Sequence, residues 1–232
     1  TNSQENINHL PREDSLSLAE AYIKKGITQS LVYQNYEEGI ESFSKAITID
    51  PNNSLTYYNR GYSFMKLEDF TAAILDFKRS IELDSSNKKT FINLGRCYTN
   101  LKDQEIAINV YKKGLEIDSS YAALHYNMGL SYSLSGELNK ALNAYNKAIL
   151  YNNEKSNYYF NRGMIFQQLN DGNNALSDYK MARNLNPKNT DVYIAEGFVY
   201  LNQNKKTEAI KAYSKAISID STLWSAYFNR GL

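Results

Sequence analysis

The 232-residue chain balances 26 basic against 25 acidic side chains for a net charge of +1, which excludes a dominant electrostatic grip on nucleic acid or on an anionic membrane. No run reaches the ~18 apolar residues of a membrane-spanning helix, and the single cysteine, Cys97, excludes an intrachain disulfide and a thiolate metal site. The remainder, 42% apolar and 22% charged with 20 tyrosines and only 3 prolines, suits helices packed through half-polar rings rather than a disordered chain.

In chain order, residues 1–14 read as a polar leader, rich in Asn, Gln and Ser and without a signal-peptide core. The chain starts at Thr1 rather than Met. That leaves the compartment open: a cytoplasmic location is slightly favoured, and export with a processed amino terminus stays compatible. A first helix is expected from Asp14 or Ser15, either of which can act as its cap. Over residues 20–53 an imperfect helical hairpin follows. Its second half, with Gly39, Phe43, Ala46 and Pro51, foreshadows a pattern that becomes strict further on, but the glycine of its first half, Gly26, stands one place early. An extra residue is therefore expected near the first turn, an irregularity typical of a repeat at the end of an array.

From residue 54 the period is 34. Taking Ser54, Lys88, Ala122, Ser156, Thr190 and Trp224 as position 1, glycine recurs at position 8: Gly61, Gly95, Gly129, Gly163, Gly197 and Gly231. In the five complete repeats alanine holds position 20 (Ala73, Ala107, Ala141, Ala175, Ala209) and an aromatic position 24 (Phe77, Tyr111, Tyr145, Tyr179, Tyr213). A small residue holds position 27: Ser80, Gly114, Ala148, Ala182, Ala216. Positions 4, 8 and 11 share one face of a first helix, A, and positions 20, 24 and 27 one face of a second, B. Glycine and alanine let A and B approach closely, and the rings fill the gaps. Polar turns such as Glu68-Asp69 and Ser135-Gly136 join A to B, and Asp84–Asn87 or Asn186–Asn189, with Pro187, separate the repeats. The repeats therefore span 54–87, 88–121, 122–155, 156–189 and 190–223. Residues 224–232 supply only the opening of a further A helix, too short to stand alone, so the natural chain is expected to continue past Leu232.

These residues carry a resemblance to the tetratricopeptide repeat family, whose pattern of an aromatic, Leu-Gly, Tyr, Ala, Phe or Tyr, Ala and Pro has this spacing. Leu94-Gly95 keeps the Leu-Gly pair, whereas Arg60, Met128, Arg162, Glu196 and Arg230 precede the other glycines. The resemblance covers residues 20–232 and implies an all-α fold, a right-handed α-α superhelix or solenoid of antiparallel helix pairs. It also implies a non-catalytic scaffold that binds a protein or peptide partner in extended conformation along a concave groove lined by the A helices. Such stacking is what a single hairpin, unable to bury its own apolar face, requires.

On the groove positions the resemblance implies, position 6 is asparagine at Asn59, Asn93, Asn127, Asn161 and Asn229, with Ala195 the exception. A primary amide can donate to and accept from one peptide unit at once, so this row resembles the asparagine ladder in the repeat domain of O-GlcNAc transferases. The alternative is that these amides bond locally. Position 9 holds Tyr62, Arg96, Leu130, Met164 and Phe198, a mostly apolar stripe of the kind that meets a partner. Position 5 (Tyr58, Ile92, Tyr126, Phe160, Ile194, Phe228) is read as packing between helices. The carboxylate clamp that some relatives use finds only Lys24, Asn59 and Lys89 in place, with Thr28 and Asn93 failing it.

Catalytic and metal-binding patterns are lacking. His125 fills an aromatic position and reads as a packed ring, His9 has no evident partner, and Cys97 has no histidine placed to activate it. The glycines stand singly inside helices rather than in a phosphate loop. Acid pairs such as Glu37-Glu38 begin helices, where negative charge suits the dipole. No cofactor, no nucleic acid and no membrane insertion are expected. Two further readings remain: the targeting part of a larger enzyme, such as a glycosyltransferase, whose catalytic portion lies beyond Leu232, and self-association through the open end at Trp224 and Phe228. The packing model has a direct consequence. Ala141→Leu should overpack the helix crossing and cost roughly 1–3 kcal/mol, read as a lowered urea midpoint; an unchanged midpoint would remove Ala141 from the crossing.

Overall fold

The structure, a computed structural model, describes residues 11–231; most of the expected leader, residues 1–10, lies outside them. The chain forms two compact units, Thr1–Ser119 and Ser120–Leu232. In the first, α1 (Arg12–Ile27), α2 (Tyr36–Ile49), α3 (Ser54–Lys66), α4 (Phe70–Leu83), α5 (Lys88–Asn100) and α6 (Gln104–Ile117) pack as consecutive antiparallel hairpins. The second repeats the scheme with α7 (Ala122–Leu134), α8 (Leu138–Tyr151), α9 (Ser156–Gln168), α10 (Gly172–Leu185), α11 (Thr190–Asn202), α12 (Lys206–Ile219) and α13 (Trp224–Gly231). Among the described residues there is no strand, and no helix is long and apolar enough to cross a membrane. The fold class is all-α.

Side-chain caps begin many of these helices. Asn35, Asn53, Asp69, Asn87, Asp171 and Asn189 each accept a hydrogen bond from a backbone N–H of the first turn. Every A helix of a complete repeat ends the same way. The residue at position 15 turns left-handed (Glu68, Lys102, Gly136, Asn170, Asn204, φ between 58° and 74°), and two backbone bonds close the end, as in Glu68 N–H to Met65 C=O and Asp69 N–H to Phe64 C=O. Gly136 takes this conformation without strain and Asn170 and Asn204 tolerate it, whereas Glu68 and Lys102 do not favour it. B helices stop at an extended Asp or Asn at position 31, whose side chain accepts from the amide two residues on, as Asp84 does from Ser86 and Asn186 from Lys188. Pro51 and Pro187 occupy the middle of this turn, between Asp50 and Asn52 and between Asn186 and Lys188. The hydrogen bonds from Ser86 and Thr222 hold the Asp84 and Asp220 carboxyls below their ordinary range.

Two expectations for the first hairpin need correction or detail. Neither Asp14 nor Ser15 caps α1, which begins at Arg12 after Pro11; the fixed φ of proline, here −52°, leads directly into the helix, and Ser15 donates to the Pro11 carbonyl. The extra residue is absorbed by a π-helical turn, Thr28–Val32, in which Tyr33 N–H reaches back five residues to Thr28 C=O. That one wide turn restores the register, so Gly26 faces Phe43 as its counterparts face theirs.

The interior is built from the repeated positions. Ala73, Ala107, Ala141, Ala175 and Ala209 are fully buried, and so are Phe43, Phe77 and Tyr179. A Cβ added to the position-8 glycine would lie 2.2 Å from the Tyr111 ring at Gly95 and 2.5 Å from the Tyr213 ring at Gly197. The space vacated by glycine is thus taken by the position-24 ring. The hydroxyls at the far ends of these rings fare differently. Tyr179 donates to Gln167 Oε1 at 2.8 Å, whereas the buried Tyr213 hydroxyl has no partner among the described residues. Phe43 and Phe77 show that the place accepts a ring without oxygen. Tyr213→Phe should therefore raise stability by about 1 kcal/mol, and Tyr179→Phe should lower it by about the same; thermal melts that moved both variants in the same direction would contradict this account.

Candidate functional site: the A-helix face

Position 9 and position 13 lie one helical turn apart, so each A helix presents them together. In the first unit they help form a cleft of about 310 Å³, lined by Tyr62, Met65 and Lys66 of α3, by Glu68 and Phe70 at the turn into α4, and by Arg96 and Asn100 of α5. Lys66 Nζ stands 5.6 Å over the Tyr62 ring, and Asn100 Nδ2 donates to the Arg96 carbonyl at 2.9 Å. Lys66 and Arg96 are exposed, and among the described residues neither forms an ion pair. The cleft is therefore a half-buried phenol flanked by two cations, with one carboxylate, Glu68, in its lining that pairs with neither. Tyr62 and Arg96 were singled out from the sequence; Lys66 and Asn100 were not, although their position-13 spacing was the available signal.

The asparagine row divides. Asn93 is buried (6% exposed), and its Nδ2 donates to the Tyr58 hydroxyl at 3.2 Å. In the second unit Asn161 Nδ2 donates to the Tyr126 hydroxyl at 2.7 Å. Both bonds join position 6 of one A helix to position 5 of the A helix one repeat earlier, so these two amides staple neighbouring repeats. Asn127 donates to the Ala123 carbonyl of its own helix at 2.7 Å. Asn59 and Asn229, both half-buried, use their side-chain amides in no hydrogen bond among the described residues. The uniform ladder expected from the sequence thus resolves into two staples, one locally bonded amide and two open ones.

The apolar stripe divides too. Tyr62 packs against the cluster of Met65, Phe77 and Leu94. Leu130 packs against Ala141, Tyr145 and Ile165, and Met164 against Tyr179, with its sulfur 3.3 Å from the Tyr179 hydroxyl. Phe198 stays 46% exposed. At position 5, Tyr58 and Tyr126 pack against these clusters as expected, while Phe228 is 63% exposed beside Trp224 on α13.

The residues with chemical potential elsewhere are spent on structure. His125 is buried and stacks on Tyr151 with centroids 5.4 Å apart. Burial pushes the Cys97 thiol up to about 12, far from a reactive thiolate. Of the clamp residues, Thr28 donates its hydroxyl to the Lys24 carbonyl. No group of three or more potential metal ligands occurs among the described residues.

Comparison with known proteins is consistent with this geometry. Models of the TPR repeat match residues 34–68, 95–136 and 197–232, and tetratricopeptide repeat models match residues 54–87 and 122–155, two of the periods read from the sequence. The chain belongs to the tetratricopeptide repeat family. Repeats of this family build protein-interaction scaffolds. No curated protein matches the sequence. Among solved structures, this tetratricopeptide repeat protein resembles PilF of Pseudomonas aeruginosa (16% identity, 95% of this chain and 98% of that one, TM-score 0.77). It also resembles YrrB, described as a TPR protein with an unusual peptide-binding site (22%, 83% and 100%, 0.65), and MamA (24%, 70% and 95%, 0.64). At these identities the likeness is one of fold.

Removing a staple should be felt. Tyr58→Phe leaves Asn93 Nδ2 buried without its acceptor and should cost about 1–3 kcal/mol, measured by denaturant unfolding. A Tyr58→Phe midpoint equal to wild type would show that the staple carries no energy.

Proposed function

We propose that this tetratricopeptide repeat protein holds an extended, acidic segment of a partner protein against its A-helix groove. The observation that carries the reading is the cleft in which Lys66 and Arg96 flank Tyr62, two cations against the single carboxylate of Glu68, which pairs with neither. An acidic side chain entering there would gain charge-assisted hydrogen bonds from a guanidinium suited to bidentate contact, and the Tyr62 ring would stack on its backbone or neighbour. Within the first unit Asn59 is the amide open to pair with a peptide unit of the ligand; within the second, Asn229 and the side-chain oxygen of Asn161 are placed to do so. Phe198, Leu130 and Met164 offer the second unit's apolar contacts. The description of YrrB as having a peptide-binding site supports the class of ligand.

The test is binding of a fluorescent acidic peptide series, measured by anisotropy against wild-type chain, a Lys66→Ala/Arg96→Ala variant and an Asn59→Ala/Asn229→Ala variant. Affinity should fall about tenfold or more in the first and less in the second, and should weaken with salt. Peptides bound equally well by the Lys66→Ala/Arg96→Ala variant would reject this groove as the site.

A further inference from the structure

On the opposite side of the hairpins, between successive B helices, the side chain at position 7 of the A helix meets position 23 of its own B helix. In the repeat 54–87 these are Arg60 and Asp76, joined by two hydrogen bonds of 2.8 Å. The guanidinium also donates to Ser44 of the preceding B helix at 3.0 Å and stands over the rings of Tyr57 and Phe64. In the repeat 156–189 Arg162 does the same with Asp178 (2.7 Å twice), Asn146, Tyr159 and Phe166. The chain's own arginine plugs the space between two B helices.

In the repeat 88–121 the pair is Leu94 and Val110, and the plug is gone. A hollow of about 390 Å³ takes its place between α4 and α6, floored by Phe91, Leu94, Tyr98 and Val110. Its edge carries Ile106, 45% exposed. The same replacement recurs in the second unit, where Met128 and Ala144 floor a smaller hollow of about 180 Å³. In both units, then, an apolar pair at these positions lies under a hollow. We infer that the hollow over Leu94 and Val110 is a docking site for one large apolar side chain of an acidic segment of a partner protein.

Charge and size select that occupant. The volume lies at the small end of ligand pockets, which run from about 300 Å³, and the hollow is open, so it suits a side chain with its flanking backbone. Asn109 on the rim can pair with a peptide unit. Lys78 and Lys113 stand at the same rim, and among the described residues neither meets a carboxylate. The one acid in the lining, Glu82, is bridged at 3.1 Å to Arg79. An apolar floor beneath two uncompensated ammonium groups matches a Phe or Leu beside Asp or Glu.

The test uses the full chain carrying Lys66→Ala/Arg96→Ala, so that the A-helix cleft contributes nothing. It is probed with short peptides that have a central Phe, Leu or Ser and flanks of Asp, Ser or Lys, with Kd read by fluorescence anisotropy. Phe- or Leu-centred, Asp-flanked peptides should bind best. Transplanting the plug with Lys78→Ser/Leu94→Arg/Val110→Asp should weaken them about tenfold or more. Lys113→Glu, a surface change that preserves the fold if the transplant does not, should weaken them at least about fivefold and shift the preference toward Lys flanks. Binding indifferent to the central residue, or equal affinity for the wild-type and both altered rims, would overturn the proposal. So would a dimer in sedimentation that Lys113→Glu abolishes, since the occupant would then be a second copy.

Discussion

The position-24 ring of each hairpin sits where position 8 has no Cβ, and this contact sets how closely the two helices cross. A glycine within a helix costs about 0.5–1 kcal/mol relative to alanine, whereas burying a Phe-sized side chain contributes about 1.5–3 kcal/mol. The ring wins, and the glycine is kept from Gly26 to Gly197 because any Cβ would lie within about 3 Å of ring carbons. Once that distance is set, the alanine at position 20 can sink to zero exposure. The faces left over, A outward on one side and B on the other, are then presented in a fixed order.

The first hairpin shows which constraint has priority. Its sequence carries one residue too many between Gly26 and Gly39, and the backbone yields rather than the contact. The π-turn Thr28–Val32 widens the helix by one residue, Gly26 keeps Phe43, and Ser30 arrives in the crossing, where its hydroxyl lies 2.8 Å from that of Ser63 in the next hairpin. A wide turn distorts a few backbone hydrogen bonds; a misplaced glycine would cost the burial of a whole ring.

Periodicity made the hairpins and their buried positions legible, because a small residue or a ring returning every 34 places has one cheap explanation. What stayed hidden were interactions whose meaning depends on a second residue in another helix. The left-handed residue at position 15 is Glu, Lys, Gly and Asn in turn, so composition hardly marks it, though Gly136, Asn170 and Asn204 were a signal. Arg60 and Arg162 depart from Leu-Gly because Asp76 and Asp178, each 16 residues on, face them from the B helix. The asparagines are the clearest case. Asn93 and Asn161 follow a tyrosine at position 5 one repeat earlier and donate to it; Asn229 follows Ile194 and is left open. The residue type is the same, and its neighbour one repeat away decides whether it serves the fold or the surface.

The same dependence governs position 7 of the complete repeats, where each charged residue has a counter-charge. Removing one member of a buried ion pair strands the other at about 3–5 kcal/mol, while replacing both with apolar residues is often neutral. Arg60–Asp76 and Arg162–Asp178 are therefore expected to change as units. Glu196, opposite Ala212, obtains its counter-charge from Arg183 of the preceding hairpin at 3.0 Å instead. That approach is poorly aligned for a hydrogen bond, and burial raises the Glu196 carboxyl despite it. The pair Leu94–Val110 is the fully apolar solution. It loses little in stability, yet it exchanges a closed, self-satisfied surface for an open one, and that exchange is how a structural position in a repeat protein becomes available for recognition.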